Sequence, residues 1–235
     1  MLGVSCSASQ RPGRCAPAAF AYRAPMTDLS RIVRRFCLLL LVASGLFAAL
    51  PASAQVTVTF WSQEFGENFP HAFFQVRGVP EAGGEPVDAY FGFTAKAITP
   101  AILWGTVAGR IDRPTPGYVQ KSNAHFSLTI SDAQYNALLA LVREWDDKLG
   151  NGDYNLNRRN CVHFIAEAMR RAGLEVVEEK KLMKKPRSFT QSIAAMNVGR
   201  IAVIEQGARE YLAGLPPLGA TPVPAGAGAA LVPAR

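Results

Sequence analysis

Beyond Gln55 the chain is poor in the residues that usually declare a function. Of its four cysteines, Cys6, Cys15 and Cys37 precede Gln55, which leaves Cys161 alone in the body. An internal disulfide there is excluded. Histidine is as scarce, with His71, His125 and His163 the whole supply. No C-x-x-C pair, H-E-x-x-H, phosphate-cradling glycine loop or G-x-S-x-G occurs, which removes the common zinc, nucleotide and serine-hydrolase signatures. Net charge is also scarce in the body. Six arginines against Asp28 before Gln55 account for five of the seven net positive charges, leaving two for everything after. Such a body has no general pull toward polyanions, so no nucleic-acid partner is expected.

The chain carries one long apolar run, Phe36 to Leu50, and its surroundings are those of a secretory signal. Arg31, Arg34 and Arg35 precede it and Ala52-Ser53-Ala54 follows as a small-residue cleavage site. Residues 26–54 are therefore expected to be a signal peptide and 1–25 a non-structural leader ahead of a true start at Met26. The run is shorter than a membrane span requires, so no stable membrane anchor is expected once the signal is cut. The expected destination is the periplasm or the exterior. The domain is expected over 55–212, and the Pro/Ala/Gly-rich stretch 213–235 as a disordered tail.

What the body does have is alternation, then a change of period. Val56, Val58 and Phe60 alternate with polar partners, as a half-buried strand does, and a second strand opens at His71 after Pro70. Ala89 to Phe93 reads as a third, the pieces around Gly105 and Gly109 as one or two more, and Ala124 to Ile130 as another. Ser131 and Gln134 form a capping box opening a helix with Tyr135, Leu138, Leu139, Val142 and Trp145 on its buried stripe. The charged run Glu178 to Arg187 reads as a solvated face.

The stretch Tyr154 to Phe164 puts the lone cysteine where a polar loop becomes a helix. Asn160 is a good N-cap, so Cys161 takes the first helical position, and Gly173 stands where the helix stops. Helix-start amides, the dipole and the upstream Arg158 and Arg159 all favour a reactive thiolate there. A cysteine nucleophile needs a base. His163 lies two residues on, so at about 100° per residue it points away from the sulfur and serves the helix face. His71 and His125 remain, and spacing alone does not separate them. A three-ligand zinc site of Cys161, His71 and His125 is a weaker alternative, and no resident cofactor is expected.

A histidine-led early strand, later strands, a helix, then Asn160-Cys161-Val162-His163-Phe164 opening a second helix resembles the circularly permuted branch of the papain-like NlpC superfamily. That branch includes lecithin:retinol acyltransferase-like proteins, which usually carry glutamate where this chain has Val162. The resemblance runs from Val56 to Leu174. It implies an α+β, papain-like fold, with an antiparallel sheet packed against the cysteine-bearing helix. It also implies Cys161 as nucleophile and His71 as base. The third, orienting residue is open among His125, Asp88 and Tyr90. The implied function is an exported thiol hydrolase, peptidase- or amidase-like, working through a thioester. Its substrates would be cell-wall (peptidoglycan) peptides or, second, lipid acyl esters. A silent peptide- or glycan-binding module and a secreted effector acting on another cell are the competing readings.

Overall fold

The computed structural model describes residues 55–64 and 69–218. The leader, the signal and most of the tail lie outside them. Seven strands form one antiparallel sheet: β1 (Val56–Gln63), β2 (His71–Gly78), β3 (Val87–Ala95), β4 (Thr106–Asp112), β5 (Asn123–Ile130), β6 (Asp153–Asn155) and β7 (Ala202–Gly207). Their spatial order is β6-β4-β3-β2-β1-β5-β7. Five α-helices accompany them among the described residues: α1 (Pro116–Val119), α2 (Asp132–Trp145), α3 (Cys161–Arg171), α4 (Pro186–Met196) and α5 (Ala208–Ala213).

The central strands are buried on both faces, which a strictly half-buried strand would not be. Val56, Val58 and Phe60 of β1 and Ala72, Phe74 and Val76 of β2 join the main core, with Phe164, Ile165, Ala168 and Met169 of α3 packed into it. Phe74 stacks with Phe164 at 5.6 Å, and Phe93 meets Trp145 edge-on at 4.9 Å. Truncating Phe74 to alanine would cost roughly 3–5 kcal/mol. The opposite face carries a second, smaller cluster of Trp61, Phe73, Val119, Ala124 and Ala208. Its cover comes from α5, whose short sequence gave no periodic signal.

Two of the three long helices, α2 and α3, carry the end signals that their sequences show. Ser131 and Gln134 make the capping box that opens α2. Helix α3 stops at Gly173, whose φ of +86° suits a residue without Cβ. The pieces around Gly105 resolve into a short 3-10 helix, Pro100–Leu103, and the single strand β4. The run after Glu178 is only partly a solvated face, because Met183 and Pro186 are buried.

Candidate active site

Asn160 fixes the entry to α3. Its Oδ1 accepts from Val162 N at 2.8 Å and His163 N at 3.2 Å. Its Nδ2 donates to the carbonyls of Leu156 and Met183, each at 2.8 Å. One buried amide thus caps the helix and ties together two loops that flank it. His163 closes the cap from the other side, its Nδ1 accepting from Asn160 N at 3.3 Å. That is the local role expected of it.

The cap reshapes what the helix start offers. Two of its amides are taken by Asn160, so only the N–H of Cys161 itself remains to face a ligand. Arg159 is also committed. Its guanidinium lies 3.6 Å from the Trp145 ring centroid, and its Nη2 donates to Asn151 O at 2.6 Å. It packs over rings, and does not stand as a counter-ion for sulfur. Cys161 itself is 8% exposed, in the wall of a pocket.

His71, the first residue of β2, lines the same pocket. Its Nε2 lies 3.5 Å from Asp112 Oδ2, at the end of β4. That is an ion-pair contact without hydrogen-bond geometry, and this buried nitrogen makes no hydrogen bond. Burial opposes charge on the ring, yet the Asp112 carboxylate and then Cys161 outweigh it and raise its pKa to about 9. Asp112 is held below the usual carboxylate range, chiefly by His71. With Nε2 turned to Asp112, Nδ1 is the nitrogen left for the thiol. The ring of Tyr118 stands edge-on to the imidazole at 6.2 Å.

A glycine makes this contact possible. His71 and Asp112 belong to β2 and β4, with β3 between them, and Gly92 of β3 is registered opposite Asp112. A Cβ built on Gly92 would come 2.5 Å from His71 Nε2 and 3.2 Å from its Cε1. The missing side chain is the space through which the imidazole reaches across a strand. Sequence reading missed Asp112 because it sought an orienter on the next strand. The available signal was a glycine inside the apolar run Ala89 to Phe93, where glycine marks close approach.

The other orienters are placed elsewhere. Asp88 accepts from Gln75 Nε2 at 2.7 Å and pairs with Arg77 at 3.2 Å. Tyr90 packs edge-on to Trp61 and against Phe73. His125 is fully buried, its Nε2 2.7 Å from Ser62 Oγ and its Nδ1 2.9 Å from Glu205 Oε1. Burial lowers its pKa, the partial compensation coming from Glu205. The structure therefore brings Cys161 and His71 to one pocket, adds Asp112, and leaves His125 in a separate network. A zinc site joining both histidines to Cys161 finds no support in this placement. No cluster of three or more histidine, cysteine or carboxylate side chains among the described residues is arranged to hold a metal.

No protein-family model matches the chain, and no curated protein sequence does. Among solved structures it is similar to the type VI secretion system effector TseH, at 12% identity and a TM-score of 0.42. The match covers 65% of this chain and 99% of the other. Likeness at that level leaves function to be argued from the residues themselves.

The pocket measures about 850 Å³. Cys161, His71, Asp112, Tyr118 and Tyr154 line it, as do Ile98, Leu103 and Phe69. A thiol, an imidazole with one nitrogen directed to a carboxylate, and an uncapped amide at the sulfur's own residue are the parts needed for acyl transfer.

Proposed function

We propose that the protein is a cysteine hydrolase in which Cys161 is the nucleophile, His71 the base and Asp112 its orienter. The observation that carries this is the meeting of Cys161, His71 and Asp112 in the wall of one pocket, with Asp112 3.5 Å from His71 Nε2. In the first half-reaction His71 Nδ1 takes the thiol proton and Sγ bonds to the carbonyl carbon of the substrate. The oxyanion is met by the Cys161 N–H. His71 then returns the proton to the leaving amine or alcohol as the C–N or C–O bond breaks, leaving a thioester. Water attacks the thioester with His71 again as base, releasing the acid and restoring the thiol. Asp112 holds the ring in the tautomer and pose that both halves need.

The predicted signal peptide directs this chemistry outside the cytoplasm, where cell-wall peptide amides are the first substrate class. A lipid acyl ester is the second, favoured by the apolar side chains Ile98, Leu103 and Phe69 at the pocket. The test is turnover of peptidoglycan peptides and of acyl esters by the chain from Gln55 onward. Mass spectrometry of the quenched enzyme would look for an acyl adduct on Cys161. Turnover lost in Cys161→Ala with an adduct in the wild type is the expected result. Turnover that persists in Cys161→Ala overturns the proposal. So does an intact, ordinary thiol with no turnover on either class, which would favour a binding module.

A further inference from the structure

Between β3 and β4 the chain makes a ten-residue excursion, Lys96 to Gly105, whose composition does not suit water. Ile98 is 62% exposed, Leu103 64% and Trp104 80%. The 3-10 helix at its centre buries no residue at all. Lys96 is its one charged residue, and no acid occurs in it. Phe69, 60% exposed, lines the same pocket from the β1–β2 connection. Three large aliphatic or indole side chains presented together on one projecting loop are costly unless something apolar receives them.

The charges around this loop indicate what receives it. Lys96, Arg110, Arg113 and Lys184 line the pocket, and Asp112, engaged with His71, is the one carboxylate among the lining residues. Lys96 pairs with Asp147, and Arg113 lies over the Phe91 ring at 4.8 Å. The lining therefore carries four cations against one carboxylate, and it stays net positive after the Lys96–Asp147 pair and the attraction of Arg110 to Asp112 are set aside. A second copy of the chain would bring two positive mouths together, which like charges oppose. Ile98, Leu103 and Phe69 line the pocket yet each stays 60% or more exposed, and Trp104 stands outside that lining. An exposed apolar loop that carries an indole, beside a pocket lined by cations, matches a lipid surface, where tryptophan settles at headgroup level and anionic headgroups attract lysine and arginine.

We propose that the Lys96–Gly105 excursion, with Phe69, docks the protein reversibly onto an anionic lipid bilayer, with the pocket mouth facing the membrane. This is peripheral attachment, compatible with the finding that no helix among the described residues is long and apolar enough to cross a membrane. It does not depend on the thiol chemistry, and its test is built to stay separate from that chemistry.

The chain from Gln55 onward, which carries every described element, is mixed with vesicles of ether-linked lipids that offer no acyl ester to cut. One set is purely phosphatidylcholine and the other contains phosphatidylglycerol at about a third. Co-sedimentation and tryptophan emission are read together, since Trp61 and Trp145 are buried and Trp104 is the exposed reporter. Binding to the anionic vesicles with a blue shift is expected. Leu103→Asp and Ile98→Asp should each weaken it at least about tenfold. Arg110→Gln with Lys184→Gln should abolish the preference for anionic over neutral vesicles. Trp104→Ser should remove the blue shift. Far-ultraviolet circular dichroism of each variant checks that it has folded, which solvent-exposed positions should allow. No binding to either vesicle overturns the proposal. So does binding indifferent to Leu103→Asp and Ile98→Asp, or a concentration-dependent dimer abolished by these changes in the absence of vesicle binding.

Discussion

Two histidines near one end of the sheet sit in arrangements that look alike on paper and differ in every physical respect. His125 bridges Ser62 Oγ at 2.7 Å and Glu205 Oε1 at 2.9 Å, a serine-histidine-acid order that would read as a catalytic relay from connectivity alone. Yet Ser62 and His125 are both fully buried, so no substrate reaches either. Both ring nitrogens are satisfied and burial keeps the imidazole neutral. Glu205 takes a left-handed φ of +47°, a strained backbone for this residue, and also accepts from Gln191 Nε2 at 3.0 Å. The network pins β7 to the sheet. His71 is the reverse: it borders a pocket, is raised to about 9, and has an Nε2 with no completed hydrogen bond. Tight satisfaction in a closed interior marks a structural group, and a perturbed, incompletely bonded one beside a cavity marks a working group.

The comparison breaks most sharply at Cys161 and His71. Cys161→Ala should remove turnover by roughly 10³-fold or more, and His71→Ala should do nearly the same. In His71→Ala, alkylation of Cys161 by iodoacetamide should lose the wild-type dependence on pH. An unchanged alkylation profile in His71→Ala would erase the distinction drawn between the two histidines.

Gly92→Ala comes next. The new Cβ would strike the end of the His71 ring and come 3.3 Å from Phe73 Cβ, so the ring must shift and Phe73 give by a few tenths of an ångström, changes that the fold should survive. The displaced imidazole loses Asp112 or Cys161, and a misplacement of about 1 Å costs roughly 10²-fold in rate. A folded Gly92→Ala with full activity would show that His71 does not work through this gap.

Asp112→Asn should act through the ring it faces. Without the carboxylate, burial dominates and the His71 titration followed by NMR should move down from about 9, each unit representing roughly a tenfold change in equilibrium. The sign of the stability effect follows. A histidine raised above its unfolded value of about 6.5 contributes stability that is complete below that pH and is lost as pH rises through about 9. The difference in unfolding free energy between wild type and His71→Gln should therefore shrink between pH 6.5 and 9, and the same His71→Gln comparison made in Asp112→Asn should lack that decline.

Much of this was legible in the residues, and most of what was not depends on long-range pairing. The Cys161 helix start, its Asn160 cap and its Gly173 stop follow from local rules, and the structure bears them out. So do the early strands and the Ser131 capping box. Strands β6 and β7 and helix α5 were invisible because each is six residues or fewer and takes its order from neighbours, whereas the eleven-residue α4 was long enough to show a period and was passed over beside the charged run that leads into it. The alternation that made His125 look as ready for solvent as for a site says which residues share a face. It does not say what covers that face, and here β7 supplies Glu205. Asp112 escaped for a related reason: its partner lies across two strand pairings, and pairing order is a long-range property that periodicity does not encode.

The smallest effect on chemistry, and the one that tests the other side of the comparison, belongs to His125. His125→Ala leaves Ser62 Oγ and one Glu205 oxygen without partners around a new cavity, a loss of roughly 2–4 kcal/mol in unfolding free energy. Cys161 alkylation in the folded variant should match wild type. Its linkage also runs opposite to that of His71. A histidine whose folded pKa is depressed contributes stability that is present above about pH 6.5 and is lost as pH falls and the unfolded state takes up the proton. Wild type should therefore lose stability relative to His125→Gln on the acid side of that value, while His71 weakens it on the alkaline side. Denaturant unfolding of the two glutamine variants across pH 5 to 10 reads both limbs together. Parallel curves would mean that the two rings sit in equivalent environments after all.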